Sequence, residues 1–374
     1  MNYLKIRNLS HPQKGFYGIG ASATEYNDQY PQYLRITDID DNCNVSTILP
    51  TCVDINVYPK WNQYLLKVND IVFARTGNST GRNYFCKKIK KDTVFAGFLV
   101  KFSINPELVI PNYVGYYCQS PSYWKQIRAM FIGSTRANIN AKQYADLLIP
   151  IVDRTNQHHI VNTIGSVDNL IENYQSQIEK IIKIGDHLLI TDSNKKSIIE
   201  YVDVLLGGTP SRKHLEYWNG DIKWINSGAI TGTPAILKES DFITIDGVKH
   251  SATKLANKGD TVLSIIEPSK SKVALILDDN VYFNQSVICF SSKNKLDKGF
   301  IFFASRSLIE EIKGYATGAA QQSLNKEMIE KSKIHVPNQK TKIKLNNFFY
   351  SIISLEEKIR KLTILKEMLL LKYF

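Results

Sequence analysis

After Pro150, apolar residues fall at Ile160, Ile164, Val167, Ile171, Tyr174, Ile178 and Ile181, in alternating steps of four and three with polar residues between. This is a heptad seam. It returns 188 residues later (160 to 348) at Phe348, Ile352, Leu355, Ile359, Leu362 and Leu369, interrupted once at Lys366. Two helices of about 35 residues are predicted, each roughly 50 Å long at about 1.5 Å per residue. An apolar stripe also suits a helix packed on its own domain. These stripes persist for several heptads and are narrow, which points to the helices pairing with each other. The pairing positions are Ile160, Ile164, Val167, Ile171 and Ile178 on the first helix, and Phe348, Ile352, Leu355, Ile359 and Leu362 on the second.

The rest of the chain has shorter periods. Runs from Asp70 to Ala74, Phe98 to Phe102, Thr261 to Ile266 and Val273 to Leu277 are apolar or alternating and bounded by Gly, Asn and Asp, as strands are. Segments from Asn112 to Phe131 and from Lys298 to Lys313 have helical spacing. The polar stretch Thr191-Asp192-Ser193-Asn194-Lys195-Lys196 predicts a linker.

The chain also repeats itself. Tyr33-Leu34-Arg35-Ile36 resembles Trp224-Ile225-Asn226-Ser227 at a spacing of 191 (33 to 224). Asn69-Asp70-Ile71-Val72 resembles Gly259-Asp260-Thr261-Val262 at 190 (70 to 260), and Phe95-Ala96-Gly97 resembles Phe283-Asn284-Gln285 at 188 (95 to 283). Gly133-Ser134-Thr135-Arg136 through Asn140 resembles Gly318-Ala319-Ala320-Gln321 through Asn325 at 185 (133 to 318). Pro150 and Pro337 then close a strand in each half. So long a period excludes a solenoid and makes each copy a domain with an appended helix. The expected fold class is α+β: two mixed α/β domains separated by a long antiparallel two-helix coiled coil, with a pseudo-twofold internal repeat. The expected boundaries are 1–149 for the first domain, 150–192 for its helix, 193–336 for the second domain and 337–374 for the second helix.

Charge adds a function class. A formal net charge of +12 and 47 Lys and Arg against 35 Asp and Glu attract polyanions, and nucleic acid is the natural partner. The charges are scattered rather than gathered on one apolar-backed helix face, unlike those of a basic membrane binder. No long apolar run and no signal-peptide core are present, so a soluble, cytoplasmic protein is expected. The cysteines Cys43, Cys52, Cys86, Cys118 and Cys289 lack metal-ligand spacing and are read as reduced, packed thiols. Two similar basic domains on a rigid rod suggest a reader of two separated DNA sites, and their unlike sequences suggest a target that is not a palindrome.

Leu206-Gly207-Gly208-Thr209-Pro210-Ser211, followed by Tyr217-Trp218-Asn219-Gly220-Asp221, resembles the opening of a target recognition domain in type I restriction-modification specificity subunits. Lys258-Gly259-Asp260-Thr261-Val262-Leu263 and the segment from Tyr315 to Asn325 are similar to later landmarks of that domain. The first copy differs at its start, with Tyr17-Gly18-Ile19-Gly20-Ala21-Ser22-Ala23 in place of the Gly-Gly-Thr-Pro opening. The family's Glu-Gln before the long helix is Asn156-Gln157 in the first copy, and the second copy has Lys340-Thr341 there or no counterpart. The resemblance implies a non-catalytic DNA-recognition subunit, with no cofactor of its own. Its partners would be double-stranded DNA, modification subunits that use S-adenosylmethionine to methylate adenine, and restriction subunits that use ATP and magnesium. A stand-alone DNA-binding regulator and the specificity subunit of a methyltransferase-only system remain open.

Candidate chemistry is sparse. Phe16-Tyr17-Gly18-Ile19-Gly20 fits a methyl-donor pattern, but no Pro-Pro pair exists to complete an amino-methyltransferase, and a turn is the simpler reading. No catalytic or metal-binding motif is found, and His158 and His159 are read as solvated or capping residues. For DNA contact, the loop Arg75-Thr76-Gly77-Asn78-Ser79-Thr80-Gly81-Arg82 follows a strand and combines arginines with small hydroxyls. Arg75 and Arg82 suit guanine, and Thr76, Asn78 and Ser79 suit phosphate. The matching loop of the second copy offers Lys270 and Lys272. Arg136 and the pair Gln321 and Gln322 form a second matched set, and Ser211 and Arg212 are phosphate candidates. A solvated hairpin is the alternative for each loop, and the shared landmarks more readily shape the fold or hold phosphates than read bases.

Overall fold

The computed structural model describes residues 2–130, 138–191, 193–313 and 324–374. The chain forms two compact units, Met1–Asn169 with Ile364–Phe374, and Leu170–Thr363. Both long helices, Arg154–Thr191 and Gln339–Tyr373, contribute to each unit.

Among the described residues, the first unit holds two four-stranded sheets and a two-stranded ladder. In one sheet the strand Asp70–Ala74 is flanked by Asn83–Phe85 and Leu99–Ser103, with Phe16–Tyr17 at the edge. In the other, Gln32–Leu34 runs parallel to Thr93–Phe95. The ladder joins Asn2–Lys5 to Leu148–Ile151. The second unit repeats this arrangement. Thr261–Ser264 lies between Val273–Leu275 and Val287–Ser292, with Val202–Leu206 at the edge. Trp218–Ile225 meets Val281–Phe283 in parallel, and Ser193–Ser197 pairs with Lys333–Pro337.

The register carries the repeat residue by residue. Tyr33 and Leu34 face Val94 and Phe95, and Trp224 and Ile225 face Tyr282 and Phe283. The Asn-Asp and Gly-Asp landmarks have a common cause. Asn69 (φ 73°) and Gly259 (φ 84°) take the left-handed conformation that enters each central strand. The next residue, Asp70 or Asp260, is buried and closes the turn by accepting from the amide of Lys67 (2.8 Å) or Asn257 (3.0 Å). Each aspartate also meets one lysine at 3.0 Å, Lys101 or Lys298, which compensates its buried charge.

Two sequence expectations are corrected. The helix expected from Asn112 to Phe131 is two helices, Pro111–Tyr117 and Pro121–Ala129, because Pro121 cannot continue the first and Ser120 caps the second by accepting from the Tyr123 amide. The expected linker from Thr191 to Lys196 instead contributes most of the strand Ser193–Ser197.

The long helices pair within each unit. In the first, Ile160, Ile164 and Leu370 share one buried cluster, His159 meets Tyr373 and Asp168 meets Lys366, so the two segments run antiparallel. In the second, Ile178 is buried with Ile352, Leu355 and Ile359, while Ile171 and Phe348 pack at the margin. Val167 is buried and Leu362 half-buried. All five cysteines are free and buried, and burial pushes the thiols of Cys43 and Cys86 up to about 11. Among the described residues, no helix is long and apolar enough to cross a membrane, and no group of His, Cys, Asp or Glu is placed to hold a metal.

Candidate nucleic-acid interface

In the first unit, the loop from Arg75 to Arg82 leaves the central strand Asp70–Ala74 and returns as Asn83–Phe85, with a single 3-10 turn at Gly77–Ser79. Gly77 (φ 70°) and Gly81 (φ 93°) supply left-handed corners that other residues rarely adopt. Gly77 and Asn78 are exposed, and Thr76 and Ser79 half-exposed.

The two arginines of this loop differ. Arg82 is held within the unit: Nη2 lies 2.5 Å from Asp41 and Nη1 donates to the Ile39 carbonyl at 3.2 Å. Among the described residues Arg75 has no such acid. Its guanidinium lies 4.9 Å from the centre of the Tyr17 ring, and its buried Nε has no hydrogen-bond partner among the described residues. Tyr17 is held in turn, its hydroxyl accepting from the Ala141 amide at 3.0 Å. Phe16, Tyr17 and Phe98 are exposed, and Lys14 lies 5.3 Å over the Phe16 ring. Cations interleaved with exposed aromatic rings suit a polyanionic partner with apolar groups. Sequence reading missed Lys14, Phe16, Tyr17 and Phe98. Tyr17 reaches Arg75 through the pairing of Tyr17 with Val100 and of Phe73 with Val100, which no local pattern encodes.

The corresponding loop of the second unit also forms a 3-10 turn, Lys270–Lys272. Lys272 donates to the Ile230 carbonyl at 3.2 Å, and the Lys270 carbonyl accepts from Arg306, which Asp186 holds at 3.1 Å. Both lysine side chains are half-exposed. Ser211 and Arg212 lie elsewhere in this unit, both exposed. The Arg212 guanidinium stacks 3.3 Å from the centre of the Trp218 ring and meets Asp241 at 2.8 Å. Tyr217 lies between His214 and His250, with ring centres 4.9 and 5.7 Å away.

Arg136, Gln321 and Gln322 lie outside the described residues. Beyond them the chain resumes at matched places, Ile139 donating to the Arg75 carbonyl and Leu324 to the Ile265 carbonyl. The first glycine of the methyl-donor pattern also has matched surroundings. A side chain on Gly18 would lie 2.1 Å from the Phe95 carbonyl oxygen, and one on Gly207 would lie 2.1 Å from that of Phe283. Gly18 is therefore the first unit's counterpart of the Gly-Gly-Thr-Pro opening, which the sequence alone does not reveal.

Comparison with known proteins accounts for the duplication. Residues 19–183 and 191–363 each match the type I restriction modification DNA specificity domain. A stretch of 137 residues is 28% identical to the specificity subunit of the Escherichia coli type I restriction enzyme EcoR124I/EcoR124II, covering 35% of this chain and 34% of that relative. The fold is similar to the crystal structure of the type I restriction-modification S subunit from M. genitalium. That likeness has a TM-score of 0.50 and 15% identity, over 100% of this chain and 96% of that one. With two copies of the domain across most of its length, the chain belongs to the type I restriction modification DNA specificity family.

Proposed function

We propose that this chain is the DNA-reading subunit of a type I restriction-modification complex, each unit reading one half of an asymmetric bipartite target. Specificity subunits of this family are non-catalytic. In this reading the long helices bind modification subunits, and restriction subunits complete the assembly in the cytoplasm. S-adenosylmethionine, ATP and magnesium then serve those partners. One observation carries the reading: the two units share a backbone framework down to the strand register, yet carry unlike side chains on the loops that leave the matched central strands. A framework kept with its loop chemistry changed suits two readers of different sequences.

Mapping methylated adenines in DNA from cells with and without the chain tests this. The expected result is chain-dependent methylation at one two-part, non-palindromic sequence. An unchanged methylation map overturns the assignment, as does methylation of DNA by the purified chain with S-adenosylmethionine alone.

A further inference from the structure

Arg75 and Ile265 occupy the same backbone position in their respective units. The Arg75 amide donates to the Phe98 carbonyl and the Ile265 amide to that of Ser286, both at 3.0 Å. Their own carbonyls accept from Ile139 (2.9 Å) and Leu324 (3.2 Å). The neighbouring edge strand matches as well. Tyr17 pairs with Val100, which pairs with Phe73, and Leu206 pairs with Ile288, which pairs with Leu263. The cation-aromatic pair Arg75 and Tyr17 of the first unit is thus replaced by Ile265 and Leu206 in the second, both half-buried against that unit's apolar core.

Arg75 is also chemically unlike most of the other arginines. Arg7, Arg35, Arg82, Arg212, Arg306 and Arg360 each face a carboxylate. Among the described residues Arg75 has none. It is held by a tyrosine ring that orients the guanidinium without neutralising it, which leaves its charge and donors for an outside acceptor. At the matched position isoleucine offers no donor, only a branched apolar surface.

We infer that this shared position reads one base pair in each half of the DNA target: Arg75 takes a guanine through its paired donors, and Ile265 takes a thymine through its methyl group. Tyr17 is a positioning residue for Arg75. Arginine matches the two major-groove acceptors of guanine, and apolar side chains contact the thymine methyl. The inference rests on the DNA-reading function proposed above and adds which position makes the halves unlike.

The test is selection of bound sequences from a randomised duplex library by the full chain at low salt, with parent and variants compared at equal folded fraction. The parent is expected to enrich a two-part sequence. Arg75→Gln should change guanine to adenine at one position of one half, since glutamine pairs with adenine. A loss of about tenfold or more in preference for the original base is expected. Ile265→Arg should create a guanine preference at one position of the other half. If the parent enriches no two-part sequence, the DNA-reading assignment itself falls. A two-part parent sequence that Arg75→Gln leaves unchanged, or weakens evenly in both halves, overturns only the shared-position inference. The same holds if folded Ile265→Arg gains no guanine.

Discussion

Lys366, the residue that interrupts the second heptad seam, places its Nζ 2.8 Å from Asp168 on the first helix. Asp168 is buried and also accepts from Lys87 at 2.6 Å and from the Tyr116 hydroxyl at 3.0 Å. Burial alone would raise its carboxyl, but Lys366 and Lys87 outweigh that and hold it below the usual range. A polar pair at one seam position disfavours other registers, in which each charge would be buried alone.

Asp168→Ala should therefore lower stability by about 2 to 4 kcal/mol at neutral pH, because it leaves two ammonium groups without their carboxylate. Lys366→Leu should cost much less, since it completes the apolar seam and Asp168 keeps Lys87. Because the folded carboxyl lies below its unfolded value of 3.8, its contribution is fully present above that pH and disappears as the pH falls through the folded value. Urea unfolding of both variants between pH 3 and 8 measures this. An equal loss for the two would remove the asymmetry.

Glu356 stands 188 residues after Asp168, at the same place in the second unit, and is only 3% exposed. It has no ion-pair or hydrogen-bond partner among the described residues, and burial pushes its carboxyl up to about 7. A raised carboxyl favours the protonated folded form. The penalty is absent below the unfolded value of 4.5, grows as the pH rises, and is complete above about 7. Glu356→Leu should gain about 3 kcal/mol relative to the parent between pH 4.5 and 7.5, read from denaturant midpoints across that range. A difference that does not change with pH would contradict the assignment.

Arg82 was a reading candidate on sequence grounds, because it lies in the same loop as Arg75. Its pairing with Asp41 and the Ile39 carbonyl ties it into the first unit's fold. Asp41 is largely exposed, so screening limits the pair. Arg82→Ala should lower stability by about 1 kcal/mol and leave base preference unchanged in a binding selection. A changed base at one position would return Arg82 to the interface.

The repeat was legible because its landmarks are local and chemically constrained. Asn69-Asp70 and Gly259-Asp260 each need a left-handed residue before a buried acid, and few residue types meet that need. The heptad seams were legible because burial repeats at short intervals. The strand Ser193–Ser197 was not. It joins a two-stranded ladder with its three central residues exposed, so its hydrogen bonds leave no hydrophobic alternation to read. The Tyr17 and Arg75 pair was hidden for another reason. It arises where strands distant in sequence meet, and the counterpart residues in the other unit share no side-chain chemistry with it.

Gly18 and Gly207 bring the repeat to a test that requires no DNA. At each, an added Cβ would stand 2.1 Å from a backbone carbonyl oxygen, Phe95 in one unit and Phe283 in the other. The adjoining amides, Ile19 and Gly208, already donate to those same carbonyls at 2.9 and 3.0 Å, so the backbones cannot separate without breaking a hydrogen bond. Gly18→Ala and Gly207→Ala should each lower stability by about 1 to 3 kcal/mol, the range for overpacking a filled site. Gly20 is the control, since nothing lies within 4 Å of the Cβ it lacks. Gly20→Ala should be close to neutral in the same urea titration. Comparable losses at Gly18 and Gly207 with none at Gly20 assign the first glycine of the Tyr-Gly-Ile-Gly segment to packing rather than to holding a methyl donor. If Gly18→Ala is tolerated while Gly207→Ala is not, the openings of the two units are not equivalent.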